Sequence, residues 1–175
     1  MTSYFPGAEG DSPPDPLATF EALALPELEE VAGELQRRMG VALRRIGEHT
    51  ADAPDAEGIA PRRRMAELVV ESERVAFALG ALLANVAPAE AAVARHPALI
   101  AAMAYAAPTI ASLLSRLDQD RRLLTSLGRQ LESRLDAPAT QLQGLTPRRV
   151  LVEALLAHPA RCAQILEREA TLREV

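Results

Sequence analysis

The chain reads as all-α, a helical bundle of four to six helices, and three observations carry that reading. Its apolar mass is alanine and leucine, good helix formers that let backbones approach closely, while only 3% of the residues are aromatic. Valine, isoleucine and threonine are sparse and nowhere alternate with polar residues for long, so no strand pattern develops. Apolar positions instead recur three and four apart over long stretches, the spacing of one helix face. With 175 residues, 49% of them hydrophobic, the chain can bury one core of its own. The expected organisation is a flexible tail over residues 1–14 and a single helical domain over 15–175. Three long helices, near 27–48, 61–87 and 97–135, form its frame, and a C-terminal helical hairpin closes it.

The elements follow in order. Residues 1–14 carry Pro6, Gly7, Gly10, Pro13 and Pro14 and have little to bury beyond Tyr4 and Phe5. Asp15-Pro16 reads as a cap with proline at the first helical position, opening a short turn through Leu17, Phe20 and Leu23. After Pro26, the residues Leu28, Val31, Leu35, Met39, Ala42 and Ile46 hold a helical period. Asp52, Pro54, Asp55 and Gly58 mark an exposed connection. Pro61 opens the second long helix, whose stripe runs from Met65 to Val86, and Pro88 is expected to end it.

From Pro97 to Ser115 the only ionisable side chain is Tyr105, and from Ile110 onward Leu114, Leu117, Leu124, Leu131 and Leu135 keep one face. One long helix, or two nearly collinear ones, is expected, kinked or restarted at Pro108, which lacks an N–H and clashes with the preceding turn. The stretch Val75 to Ala89 is also uncharged, so the two runs are expected to bury each other, with Leu82, Leu99, Ile100 and Leu113 in the core. Asp136-Ala137-Pro138 stops the helix, and Thr146-Pro147 is a strong restart. His158-Pro159 is expected to break the last segment into two arms of a hairpin.

Charge and chemistry narrow the function classes. All 19 basic residues are arginine, which hints at a GC-rich bacterial coding bias. The net charge of −5 and the scarcity of aromatics make a poor match to nucleic acid. A lone cysteine, Cys162, and a start without a basic, apolar leader point to the cytoplasm. His158 and Cys162 stand four apart, but two ligands do not close a zinc site, and no glutamate lies three before any histidine as a di-iron bundle requires. No metal and no cofactor is expected. Glu67, Glu71 and Glu73 flank an apolar stripe, yet Arg63 and Arg74 are placed to neutralise the Glu67–Glu71 pair.

The arginines at helix starts are the candidate contacts. Arg62, Arg63 and Arg64 follow Pro61, and Arg148 and Arg149 follow Pro147, where cations oppose the helix dipole. Such positions suit a small anion or an acidic partner, whereas the plainer account pairs Arg63 with Glu67 and Arg149 with Glu153. On the first account, replacing Arg62, Arg63 and Arg64 by glutamine leaves stability unchanged or slightly raised. No convergent catalytic set is legible, which points away from an enzyme. The function expected is that of a non-catalytic cytoplasmic adaptor, assembly factor or chaperone-like protein binding a protein partner through a helix face, with homo-oligomerisation left open. The competing class is a small-ligand-binding regulator or enzyme with an Ala/Leu-lined pocket between helices. A membrane-associated hairpin is a third reading, disfavoured because Pro97 to Ser115 is rich in alanine and interrupted by proline.

Overall fold

In the computed structural model, residues 17–87 and 97–173 are described, and every regular element among them is helical. In chain order these are α1 (Ala18–Glu21), α2 (Leu25–Ile46), α3 (Pro61–Leu83), α4 (Pro97–Ala106), α5 (Ile110–Gln130), α6 (Pro147–Val152) and α7 (His158–Arg173). The expected tail, the Asp15 cap and the crossover at 90–95 lie outside the described residues.

Helix α2 starts with Pro26 in its first turn, and the Glu27 carboxylate accepts the Ala24 N–H at 2.8 Å. Its apolar face, from Leu28 through Leu35 and Met39 to Ile46, is buried along its whole length. Helix α3 starts at Pro61 as expected but stops before Pro88 can act. Asn85 takes the left-handed conformation (φ 54°), so that Val86 N–H reaches Ala81 O at 3.0 Å and Asn85 N–H reaches Leu82 O at 3.2 Å. That double bond is the Schellman closure, built on asparagine, the residue after glycine best suited to it.

The third long element is not one helix. The chain turns by 114° between α4 and α5. Pro108 does not itself open α5; Thr109 does, accepting Ser112 N–H on its hydroxyl at 3.0 Å, while the Ser112 hydroxyl accepts Thr109 N–H at 3.0 Å. A capping box directly after a proline leaves the helix free to restart in a new direction. Among the described residues, no single helix is long and apolar enough to cross a membrane, and α4 and α5 reach that composition only as this bent pair.

The expected C-terminal hairpin is one bent helix. Between α6 and α7 the residues Glu153–Ala157 widen into a π turn, with His158 N–H on Glu153 O, and the helix runs on through Pro159. A proline ring clashes with the carbonyl of the preceding turn; one extra residue in that turn relieves the clash without breaking the helix.

Two buried clusters make up the core. The first joins Leu28 and Leu35 of α2, Val75 to Leu82 of α3, Leu124 and Leu127 of α5, and Leu151 to Leu156. The second joins Met39 to Ile46, Met65 to Val69, Ile110 to Leu117 and Cys162 to Ala170. The two uncharged runs therefore do not bury each other. Val75 to Leu82 faces α5, α6 and the π turn, and α4 rests only Ile100, Met103 and Ala104 on the second cluster, with no residue of its own buried. Of the four residues assigned to the core, Leu82 and Leu113 are there, Ile100 is half-buried, and Leu99 is 47% exposed.

Candidate functional site

The five arginines singled out by position all have partners within the fold. Arg62 pairs with Asp52 at 2.8 Å and Glu48 at 3.1 Å, and its guanidinium donates to Pro108 O. Arg64, nearly buried, pairs with Asp55 at 2.7 Å and Glu57 at 2.9 Å. Arg63 pairs with Glu67 and stays largely exposed. Arg148 pairs with Asp136 at 2.6 Å and donates to Leu23 O at 3.0 Å; Arg149 pairs with Glu21 at 2.6 Å and Glu153 at 3.0 Å. Arg62 and Arg64 pin the connection over residues 47–60 and Arg63 stays within α3, while Arg149 ties α1 to α6 and Arg148 ties the start of α6 to Leu23 and Asp136.

That connection is fastened rather than loose. Ala51 is fully buried, and Asp55 accepts the N–H groups of Glu57 and Ile59 at 2.8 and 3.1 Å. Burial pushes the Asp55 carboxyl up, but the Ile59 N–H, the Arg64 guanidinium and the Glu57 N–H outweigh it and hold the group below the usual carboxylate range.

Ligand-sized space lies on both sides of α4 and, away from it, in a charged groove of about 370 Å³ between α2 and α7 lined by Arg37, Arg38, Val41 and Glu167. Inside the core, the gap lined by Gln36, Ser72, Arg121 and neighbouring apolar side chains amounts to about 20 Å³, room for a single water. Two larger grooves flank α4. On one side, about 360 Å³ opens between α3 and α4, floored by Val70, Phe77, Leu99, Ala102, Met103 and Ala106. Its charged rim is internally neutral, since Glu71 pairs with Arg74 at 2.5 Å and Glu73 with Arg116 at 2.6 Å. On the other side, about 450 Å³ opens between α3, α4 and α7.

That second groove collects residues the sequence left apart. Glu67 and Glu71 come from α3, and His158, Arg161 and Cys162 from α7. Both carboxylates are neutralised, by Arg63 and Arg74. Burial pushes the Cys162 thiol up to about 12, so it carries no useful thiolate at neutral pH. Among the described residues, no group of three or more His, Cys, Asp or Glu side chains is arranged to hold a metal ion. Nor, among the described residues, does the groove hold a nucleophile hydrogen-bonded to a base.

Asp120 was not singled out by sequence reasoning. It is 4% exposed at the α5 face that packs on α3, and its Oδ2 has no hydrogen-bond partner among the described residues. Burial, and then the charge of Glu73, push its carboxyl up to about 7 against the opposing pull of Arg116. The signal was available: position 120 falls three after Leu117 and four before Leu124, on the apolar stripe itself.

Compared with models of known families, with curated proteins and with solved structures, the chain matches none. Function is therefore argued from these surfaces alone.

Proposed function

We propose that the protein is a non-catalytic binding module that receives an amphipathic helix of a protein partner in the groove between α3 and α4. One observation carries the reading: α4, uncharged and the most apolar helix, lies on the surface with none of its residues buried. Phe77, 51% exposed, shares the floor of the groove with the half-exposed Leu99, and Tyr105 of α4 is 89% exposed. Contiguous apolar surface of this kind marks an interaction site, and a straight groove between two helices suits helix-in-groove recognition with anchors at i, i+3 or i+4 and i+7. The neighbouring charges are already paired within the chain, so the contacting stripe of the partner is expected to be uncharged, with its own charges beyond the rim. An adaptor or assembly role in the cytoplasm is consistent with this arrangement.

The test is photo-crosslinking in the native cell from a reactive residue at position 99, with position 172, a distant exposed leucine, as control. One discrete protein adduct at position 99 that disappears with Met103→Glu and reforms from purified components supports the reading. Crosslinks only to lipid or to a second copy of the chain, or equal labelling from position 172, overturn it.

A further inference from the structure

We propose that the groove between α3, α4 and α7 is a separate site for a small anionic amphiphile, a monocarboxylate with an apolar body, held by Arg161 and His158. The inference is independent of the partner on the other side of α4. The volume, about 450 Å³, falls within the roughly 300–1,000 Å³ of small-molecule sites. Its walls supply an apolar bed in Leu68, Val70, Ile100 and Ile165.

The polar groups select the sign of the ligand. Glu67 and Glu71 have their cations on α3, and Arg64 has Asp55 and Glu57, so none of these offers an uncompensated charge to the groove. Arg161 is different: among the described residues it makes no ion pair and no hydrogen bond. One turn earlier on the same helix stands His158, whose Nδ1 is enclosed and, among the described residues, without a partner. The tautomer that buries no unpaired N–H leaves Nδ1 bare and places the proton on Nε2. Arg161 and His158, three apart on α7, thus present a guanidinium fork and a ring N–H on one helix edge, a pair suited to a carboxylate. A cationic amphiphile would meet an uncompensated arginine, and a neutral one would leave it unused.

The experiment is isothermal titration of the purified full chain with decanoate, and separately with decanol and decylamine. Decanoate is expected to bind at one site, with decanol about tenfold or more weaker and decylamine without measurable affinity. Arg161→Gln should weaken decanoate about tenfold while leaving decanol unchanged, and His158→Gln, which keeps an N–H donor, should weaken it less than His158→Ala. Phe77→Ser, in the opposite groove, should leave decanoate binding as it is. Arg161 is exposed and, among the described residues, unpaired, so its substitution leaves the fold intact and the comparison interpretable. Equal binding of decanoate and decanol, undiminished decanoate binding by Arg161→Gln, or no saturable binding at millimolar decanoate would overturn the assignment.

Discussion

Asp120 puts a titrating group inside the α3–α5 contact, and the sign of its effect can be worked out. Unfolded, an aspartate ionises near pH 4; folded, this one keeps its proton to about 7. Between those values the native state holds the extra proton, so stability falls as pH rises through the window and levels off above it. Asp120→Asn should match the wild type at pH 4 and exceed it at pH 8 by on the order of 2–4 kcal/mol in thermal or urea unfolding. A stability gap that does not change from pH 4 to pH 8 would show that the carboxyl ionises normally. Asp55 runs the other way: its folded value is depressed, so its contribution is present above the unfolded value and is lost as pH falls through the folded one. Arg64→Gln strips the cation from this buried carboxylate and should cost roughly 2–4 kcal/mol at pH 7, with the difference closing in acid. That reverses the expectation from helix-dipole reasoning, in which the arginines after Pro61 were dispensable to stability. Position along the helix was legible in the sequence, and so were the partners four residues on, Glu67 for Arg63 and Glu153 for Arg149; the partners of Arg62 and Arg64 were not, because Asp52, Asp55 and Glu57 belong to a connection whose path no periodicity encodes.

At the scale of elements, helix starts were readable and helix fates were not. Pro61 and Thr146-Pro147 open helices where local chemistry places them, and the Thr146 hydroxyl caps Arg149 N–H at 3.1 Å. The junctions at Pro108 and Pro159 diverge for reasons that lie outside their own residues. After Pro108 a Thr109–Ser112 box captures the free N–H groups and the chain turns sharply; before Pro159 a π turn absorbs the ring and the helix continues. Packing decides between them: Leu151 to Leu156 and Cys162 to Ala170 lie on the two successive clusters, so a continuous helix buries both faces. Thr109→Ala removes the side-chain half of the cap and should destabilise the protein by about 1 kcal/mol, read as a lower midpoint in urea with unchanged slope. A change in slope instead would mean that α4 and α5 no longer unfold together.

For the whole molecule, the all-α class and the hydrophobic stripes of α2, α3 and α5 were legible, because their periods repeat over several turns. The outward placement of α4 was not. An uncharged alanine-rich helix carries the same pattern whether it is enclosed on all sides or laid across a surface, and only the three-dimensional count of helix faces against available core separates the two. In this fold α2, α3, α5, α6 and α7 already enclose both clusters, which leaves α4 with half-buried contacts at Ile100, Met103 and Ala104 and an apolar face turned outward. Both proposed sites depend on that placement. The measurement that tests it most directly compares thermal unfolding of Leu99→Arg with Leu113→Arg. Leu113 is fully buried, and a charge there should abolish cooperative folding and drive the chain into aggregates. Leu99 faces outward, so Leu99→Arg should fold cooperatively within about 0.5 kcal/mol of the wild type. Loss of cooperative folding in Leu99→Arg as well would put α4 in the interior and contradict the exposed binding face.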